Sequence, residues 1–305
     1  IICAYTEERW HDLIAAIQSV QGSVFSPREI IVVIDHNAHL LQRLQQHYRA
    51  GGVIIIENNG PRGLSGARNS GISRAQGSII AFLDDDAVAT PDWLAMLTRG
   101  YADPQVIGTG GAVIPQWTGT KPGWFPEEFY WVVGCTYRGM PQTEMAIRNP
   151  IGANMSLRKA VCEMIGGFRS EMGRIGSRPV GCEETEFSIR AHQYWPQGTI
   201  LYHAQAQVFH RVPPYRMTWR YFCARCYAEG VSKTVVSHFV GAKDGLASER
   251  SYIIKTLPEG VIRGLSDTFI HGDFSGMARA IAILVGLTLT TIGYIVGNIT
   301  LRGSA

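Results

Sequence analysis

Three adjacent carboxylates, Asp84-Asp85-Asp86, follow directly on the apolar run Ile79–Leu83. Adjacent carboxylates repel one another, and the cost grows in a low-dielectric cleft. A divalent cation relieves that repulsion, and hard oxygen ligands suit Mg2+ or Mn2+. Such a cation, held by one or two carboxylates, commonly completes its shell with substrate phosphate oxygens. The alternative is an acidic turn in which Asp86 caps the next helix. In Thr90-Pro91-Asp92-Trp93-Leu94, however, Thr90 can cap and Pro91 can open that helix, which leaves Asp86 for other work. A second acidic group, Gly181-Cys182-Glu183-Glu184-Thr185-Glu186, opens an apparent helix through Phe187, Ile189 and Ala191. The helix dipole favours the anionic form of a carboxylate placed there, and in a cleft it can act as general base towards a hydroxyl. Acidic first turns are common in ordinary helices, so this group alone does not decide the chemistry. His210, in Val208-Phe209-His210-Arg211, ends another apolar strand; a structural histidine and a metal or phosphate contact both fit.

The elements that position these residues are legible in the first third. Ile1–Ala4, Ile30–Ile34, Val53–Ile56 and Ile79–Leu83 are apolar without alternation, so both faces of each strand are expected to be covered. Between them, Arg9–Val20, Leu40–Arg49 and Ser65–Ala75 read as helices. The reading is α/β: a parallel sheet with helices on both sides. Ligands of such sheets sit outside the carboxyl ends of the strands. Here those ends carry Tyr5 and Glu7, Asp35, and Asp84 to Asp86, so the carboxylates are expected to converge on one rim.

The middle of the chain, 104–170, is less regular. Trp117, Trp124, Phe125, Phe129, Tyr130 and Trp131 crowd a stretch rich in proline and glycine, either as core aromatics under a long loop or as a flap that touches an acceptor or a membrane. Ile151-Gly152-Ala153-Asn154 reads as a strand end, and Leu157–Ile165 as a helix closed by Gly166-Gly167. Residues 205–233 hold Arg211, Arg216, Arg220, Arg225 and Lys233 against the single acid Glu229. That segment is either a solvated helix face or a surface that meets a polyphosphate or lipid anion, and it is too lightly interleaved with aromatics for nucleic acid. From Ala280 to Leu301 there is no charged side chain over 22 residues. About 20 suffice to cross a bilayer core, so a membrane span, an in-plane helix and a buried core helix are the readings. The Gly293–Gly297 spacing suits close packing on a partner helix, which leaves a homo-oligomer open.

Composition sets the outer bounds. Charged residues are 17% of the 305, against roughly 25% in an average soluble domain. The 46% hydrophobic content excludes a disordered chain, and the 34 glycines follow no collagen period. Most of the chain is not apolar enough for a multi-span channel, and the net charge of +3 does not announce a nucleic-acid binder. The six cysteines are scattered; Cys223 and Cys226 form a lone CxxC and read as reduced thiols on a helix of a cytosolic protein. No secretory leader is visible at the start, which reads as a strand already under way, so native residues are expected to precede it.

Taken in order, the motifs resemble an inverting, nucleotide-sugar-dependent glycosyltransferase of family 2. They are Cys3-Ala4-Tyr5-Thr6-Glu7, Asp35, Gly63-Leu64-Ser65-Gly66-Ala67-Arg68-Asn69-Ser70-Gly71, Phe82-Leu83-Asp84-Asp85-Asp86, Gly152-Ala153-Asn154-Met155-Ser156, Gly166-Gly167-Phe168, Gly181–Glu186 and His210. The resemblance implies the GT-A fold: a Rossmann-like, mostly parallel sheet with helices on both faces, here followed by a C-terminal helical membrane-associating segment. It implies donor contacts from Ala4, Tyr5, Glu7 and Asp35 to the nucleoside, from Arg62 near the base and diphosphate, and from Asp84 and Asp85 on the ribose and sugar side. Asp86 then is the metal ligand of the DxD motif, with His210 as second ligand for Mg2+ or Mn2+. The family's Glu-Asp pair stands here as Glu183-Glu184, so the base falls to Glu184, one methylene longer than the usual aspartate. Trp117, Trp131, Asn154, Arg211, Arg216 and Arg220 are the candidates for acceptor or phosphate contact. The Gln-x-x-Arg-Trp motif of processive members is absent, which favours single sugar addition.

Within the family, Asp84–Val88, Trp131–Gly139, Asn149–Asn154 and Cys223–Gly230 are most similar to enzymes that extend lipid-linked glycans by glucuronosyl transfer. The expected organisation is a donor half, 1–103, and an acceptor and catalytic half, 104–233. A helical linker, 234–279, and a transmembrane or membrane-embedded helix, 280–301, follow. Expected partners are a UDP-linked sugar donor, a polyprenyl- or dolichyl-phosphate-linked glycan and a membrane, with no nucleic acid, at the cytoplasmic face of the cell membrane. A soluble-acceptor exopolysaccharide transferase and an inactive sugar-nucleotide binder are the alternatives.

Overall fold

The computed structural model describes residues 1–172, 181–245 and 249–303. The chain divides into two compact units. Unit 1 comprises Ile1–Ile114, Pro141–Arg178 and Cys182–His210, and unit 2 the remainder.

Unit 1 opens with β1 (Ile2–Ala4), α1 (Trp10–Gln21), β2 (Ile31–Ile34), α2 (Ala38–His47), β3 (Ile54–Glu57), α3 (Leu64–Arg74) and β4 (Ile79–Asp84). Each expected strand and helix of this third is present, with ends shifted by a few residues. All four residues of β2 are buried, as expected of a strand covered on both faces. After β4 come β5 (Ala87–Ala89), α4 (Trp93–Thr98), β6 (Val106–Trp117), β7 (Met145–Ile147), β8 (Asn154–Arg158), α5 (Lys159–Ile165), α6 (Glu183–Tyr194) and β9 (Thr199–Val212).

Among the described residues the sheet order is β3-β2-β1-β4-β8-β6-β9-β5, with β7 on β9. The pairs β3–β2, β2–β1 and β1–β4 are parallel. The pairs β4–β8, β6–β8, β5–β9 and β7–β9 are antiparallel. The sheet is therefore mixed, and the parallel part carries the rim. Its core gathers Val33, Phe82, Met155, Leu157, Phe168 and Phe187 from strands and helices far apart in sequence.

Two local expectations are corrected. Asn154 opens β8 rather than ending a strand, because a turn closed by its amide on the Ile151 carbonyl (2.9 Å) precedes it. Neither Asp86 nor Thr90 caps α4. The strand β5 follows Asp86 directly, Asp92 stands at the helix N-cap, and the Thr90 hydroxyl donates to the Gln207 carbonyl (3.2 Å). The Gly166 closure of α5 is as expected, in the left-handed conformation that glycine tolerates.

Unit 2 contains α7 (Trp219–Val240), the short α8 (Ala242–Gly245) and α9 (Glu249–Ser251), then α10 (Leu257–Phe269) and α11 (Ser275–Gly303). Two of the crowded aromatics are core, and Trp117, Trp124, Tyr130 and Trp131 are half-buried. Phe125 and Phe129 are fully buried, and Trp124 meets Trp219 edge-on at 4.9 Å between ring centroids. Phe222 of α7 packs on Trp124, Phe125 and Phe129. Cys223 and Cys226 lie on α7 as free thiols. The apolar stretch 280–301 falls within α11, a helix long and apolar enough to cross a membrane, with a mean hydropathy of 2.0. Its Gly293 and Gly297 meet Tyr227 and Thr234 of α7, so the closely packed partner is a helix of the same chain.

Candidate active site

The rim forms where β1, β2 and β4 end side by side. Register places Cys3 opposite Asp84 and Ala4 opposite Ile34, and the Asp35 amide donates to the Ala4 carbonyl (2.8 Å). The strand order reverses around β1, the position at which open α/β sheets bind ligands. Ala4 is buried under the rim and Tyr5 is exposed on it. Glu7 opens a short 3-10 turn, its carboxylate 2.7 Å from His39 Nδ1. Asp35 is buried and works on the adjacent loop, accepting from Asn58 Nδ2 (2.6 Å) and from the Gly63 amide (2.9 Å). Arg62 is exposed on that loop. Close approach explains Gly66: a Cβ there would stand 1.9 Å from the Pro61 carbonyl oxygen.

The aspartate cluster gains its histidine through β5. Three residues long, β5 pairs with β9 so that Ala87 faces His210. This brings His210 Nε2 to 3.0 Å from Asp86 Oδ1. Asp84, Asp86 and His210 each offer a ligand atom within 4.8 Å of the others. Asp84, expected on the sugar side, thus joins the cation-binding group. Two carboxylates and an imidazole are a donor set that fits Mn2+ or Mg2+.

Asp85 is held differently. Arg9 Nη1 lies 2.7 Å from Asp85 Oδ1 and 3.3 Å from Asp86 Oδ2. Asp85 Oδ2 is buried without a hydrogen-bond partner. Burial, and to a lesser extent Asp86 and Asp84, push the Asp85 carboxyl up against the opposing pull of Arg9, to about 7 on balance. Burial opposes the charge on Arg9, but Asp85 and Asp86 outweigh it and raise its pKa. The surplus of buried negative charge is what a bound cation would neutralise.

At the start of α6 the three glutamates have separate fates. Glu183 is buried and accepts from Arg68 Nη1 at 2.8 Å. Glu186, also buried, is held by Arg169 (2.7 Å) and Arg190 (2.8 Å). Glu184 is half-buried between them. Arg68 itself is 2% exposed, and its Nη2 donates to the Gly152 carbonyl (3.1 Å) and lies 3.7 Å from Asp84 Oδ1. One guanidinium therefore links the acidic turn of α6 to the aspartate cluster. Burial opposes its charge; Glu183 and Asp84 outweigh burial and raise its pKa.

Among the described residues the non-glycine positions with positive φ are His36 (50°) and Cys182 (70°). Each adjoins a site carboxylate, Asp35 and Glu183. Left-handed backbone is costly for residues with a Cβ and tends to persist where function requires it.

The other expected contacts divide. Asn154 is fully buried, and its amide is consumed inside unit 1. It accepts from Trp93 Nε1 (2.7 Å) and donates to the Ala112 (2.9 Å) and Ala206 (2.8 Å) carbonyls. It ties strands together, with both amide hydrogens spent and no exposure to an acceptor. Trp117, Trp131, Arg211, Arg216 and Arg220 all belong to unit 2. There Trp117 packs on Phe125 and Tyr130, and Trp131 Nε1 donates to the Tyr252 hydroxyl (3.0 Å). Arg216 is buried with its Nε on the Tyr215 hydroxyl, while Arg211 and Arg220 are exposed.

Arg9 and Arg68 are the site residues to which sequence reasoning assigned no role. For Arg68 a signal existed: it lies midway between Leu64 and Ile72 at helical spacing, a cation on the apolar face of α3. For Arg9 there was none, because its pairing is made entirely by the fold.

Residues 1–166 match the family described as Glycosyl transferase family 2. The chain is 30% identical over 303 residues to a glucosyl-dolichyl phosphate glucuronosyltransferase of Haloferax volcanii, covering 98% of this chain and 96% of that one. It is 27% identical over 169 residues to the succinoglycan biosynthesis protein ExoM of Rhizobium meliloti, covering 55% of this chain and 50% of that one. Among solved structures, its fold is similar to a mannosyltransferase of Pyrobaculum calidifontis in complex with GDP-Man and Mn2+. That match has a TM-score of 0.56 and 13% identity, and covers 95% of this chain and 86% of that one. It is also similar to GalNAc-T7 with UDP, GalNAc and Mn2+ (TM-score 0.52, 15% identity), covering 85% of this chain and 56% of that one.

Proposed function

The chain belongs to glycosyl transferase family 2 and is a glycosyltransferase, and from that premise we propose that it moves a single sugar from a UDP-linked donor to a hydroxyl of a lipid-linked glycan, with inversion at the anomeric carbon. The observation that carries the reading is Arg68. It reaches both Asp84 and Glu183, so the acidic turn of α6 lies beside the cation-binding aspartates. Glu184 stands half-buried in that same first turn of α6, next to Glu183, where the helix dipole favours the anionic form, which supports it as general base.

In the proposed step Glu184 takes the proton of the acceptor hydroxyl. The acceptor oxygen attacks the anomeric carbon from the face opposite the diphosphate. The bond from that carbon to the diphosphate oxygen breaks, and the nucleoside diphosphate leaves with the electron pair. Asp84, Asp86 and His210 hold Mg2+ or Mn2+, which when bound supplies neutralisation of the leaving diphosphate. Ala4, Tyr5, Glu7 and Asp35 hold the nucleoside, Arg62 lies near the base and diphosphate, and Asp85 faces the sugar. In unit 2, Arg211, Arg216 and Arg220, with Trp117 and Trp131, are assigned to the anionic acceptor.

The lipid-linked acceptor is favoured by the reach of the likeness. The Haloferax relative, named for a dolichyl phosphate substrate, is similar over α7 to α11 as well, whereas the likeness to the succinoglycan protein covers about half the chain. The same acceptor and the apolar α11 support membrane association, which we assign to the cytoplasmic face. A panel of nucleotide sugars offered with Mn2+ to glucosylated dolichyl phosphate and to a soluble glycoside tests this. Transfer from a UDP-sugar to the lipid, abolished by a chelator, is expected; transfer to the soluble glycoside alone would overturn the acceptor assignment.

A further inference from the structure

Helix α11 does not stand alone. A Cβ on Gly230 of α7 would lie 2.0 Å from the Thr290 carbonyl oxygen, and one on Gly293 would lie 2.1 Å from that of Tyr227. Thr234 Oγ1 donates to the Tyr294 carbonyl at 3.0 Å. The middle and second half of α11 are thus in backbone contact with residues 227–234 of α7. That stretch of α7 is charged: Glu229 pairs with Arg225 (3.8 Å) and Lys233 (3.6 Å), and Lys233 reaches Glu249 (2.7 Å). A bilayer crossing by α11 would carry these ion pairs to the hydrocarbon midplane, where charged groups are costly.

The face of α11 turned away from α7 is of another kind. Ile281, Leu284, Ile292, Ile295 and Ile299 are exposed and fall on one stripe along the helix. The interspersed Thr288, Thr291 and Thr300 are also exposed, and each donates its hydroxyl to its own helix, to the carbonyls of Leu284, Leu287 and Val296. Helical threonines commonly make this bond; here it leaves a face with no charged side chain from Ala280 to Leu301 and no hydroxyl that needs water, which a hydrocarbon phase can accept. The antiparallel neighbour α10, seated on α11 at Gly264 and Gly276, ends in Phe269 and is followed by Ile270 and Phe274, all strongly exposed (Phe274 83%).

We propose that α10 and α11 form an in-plane hairpin that docks on a lipid bilayer through this stripe without crossing it. The charged α7 stays on the water side of the hairpin, and the isoleucine stripe lies among the upper acyl chains, as in monotopic proteins. The proposal deepens the membrane association proposed above and rests on it, while the identity of the donor and acceptor sugars does not enter.

Two measurements on the full chain test it. The first is flotation with vesicles of phosphatidylcholine containing a minor share of phosphatidylglycerol, for the native chain and for the double variant Ile292→Glu/Ile295→Glu. The second uses N- and C-terminal epitopes on membrane vesicles from expressing cells, scored for digestion by external protease. The native chain is expected to float and to be released by alkaline carbonate, with both epitopes on the same side. The variant is expected to lose at least about tenfold in vesicle partitioning while binding UDP with Mn2+ as the native chain does. Flotation with the epitopes on opposite sides would overturn the in-plane arrangement and leave membrane association standing. Absence of flotation, with a solution dimer that the double variant dissociates, would assign the stripe to a second copy and overturn both.

Discussion

The two acidic clusters of unit 1 look alike in sequence and are built differently. In the aspartate cluster, Asp85 is neutralised by Arg9, whose side chain is 19% exposed, and Asp86 is shared with His210. In the glutamate cluster, Glu183 and Glu186 are locked by Arg68 and by Arg169 with Arg190, and Arg68 is closed to solvent. Each cluster therefore spends part of its charge on structure. What differs is the setting: Asp84 and Asp86 gather with His210 into a group that suits a cation, whereas Glu184 is half-buried at a helix N-terminus, where the dipole favours the carboxylate and suits a base.

Substitutions break or sharpen that contrast. The largest effect is expected from Asp86→Ala, which removes a cation ligand. Turnover should fall by roughly 10³-fold, equivalent to a few kcal/mol of lost charge stabilisation, and calorimetry should find UDP binding no longer enhanced by Mn2+. The two arginines come next. Arg68→Gln strips a buried carboxylate of its partner and should lower unfolding stability by about 3 kcal/mol. Arg9→Gln strips the equally buried Asp85, but that carboxyl already sits at about 7 and can meet the loss by taking up a proton, so the cost should be smaller, about 2 kcal/mol. Chemical denaturation midpoints measure both, and equal losses would contradict the difference in construction. The smallest effect is at Cys182. Cys182→Gly, which removes the Cβ from a left-handed position, should raise stability by about 1 kcal/mol with turnover kept, whereas Cys182→Val should lower both stability and turnover.

Much of the rim was legible in the sequence. Covered parallel strands announce themselves as apolar runs without alternation, so the convergence of Glu7, Asp35 and Asp84 to Asp86 followed from topology alone. What stayed hidden was made by non-local pairing. His210 reaches Asp86 only because β5, too short to carry a periodic signal, pairs with β9 in one register. Arg9 and Asp85 are joined by no spacing rule. Asn154 matched a family motif, yet it proves to be a buried strut whose partners, Trp93, Ala112 and Ala206, come from three separate elements. The aromatic middle allowed two readings because sequence does not tell a buried aromatic from an exposed one; Phe222 on α7 packs on the buried Phe125 and Phe129, while Trp117, Trp124, Tyr130 and Trp131 stay half-buried.

The central claim, that Glu184 acts as the general base, is tested most directly by the turnover of Glu184→Gln beside its affinity for UDP with Mn2+. Turnover is predicted to fall by about 10²–10⁴-fold, the usual share of a general base, with nucleotide affinity and unfolding midpoint unchanged. Turnover near that of the native enzyme would contradict the account.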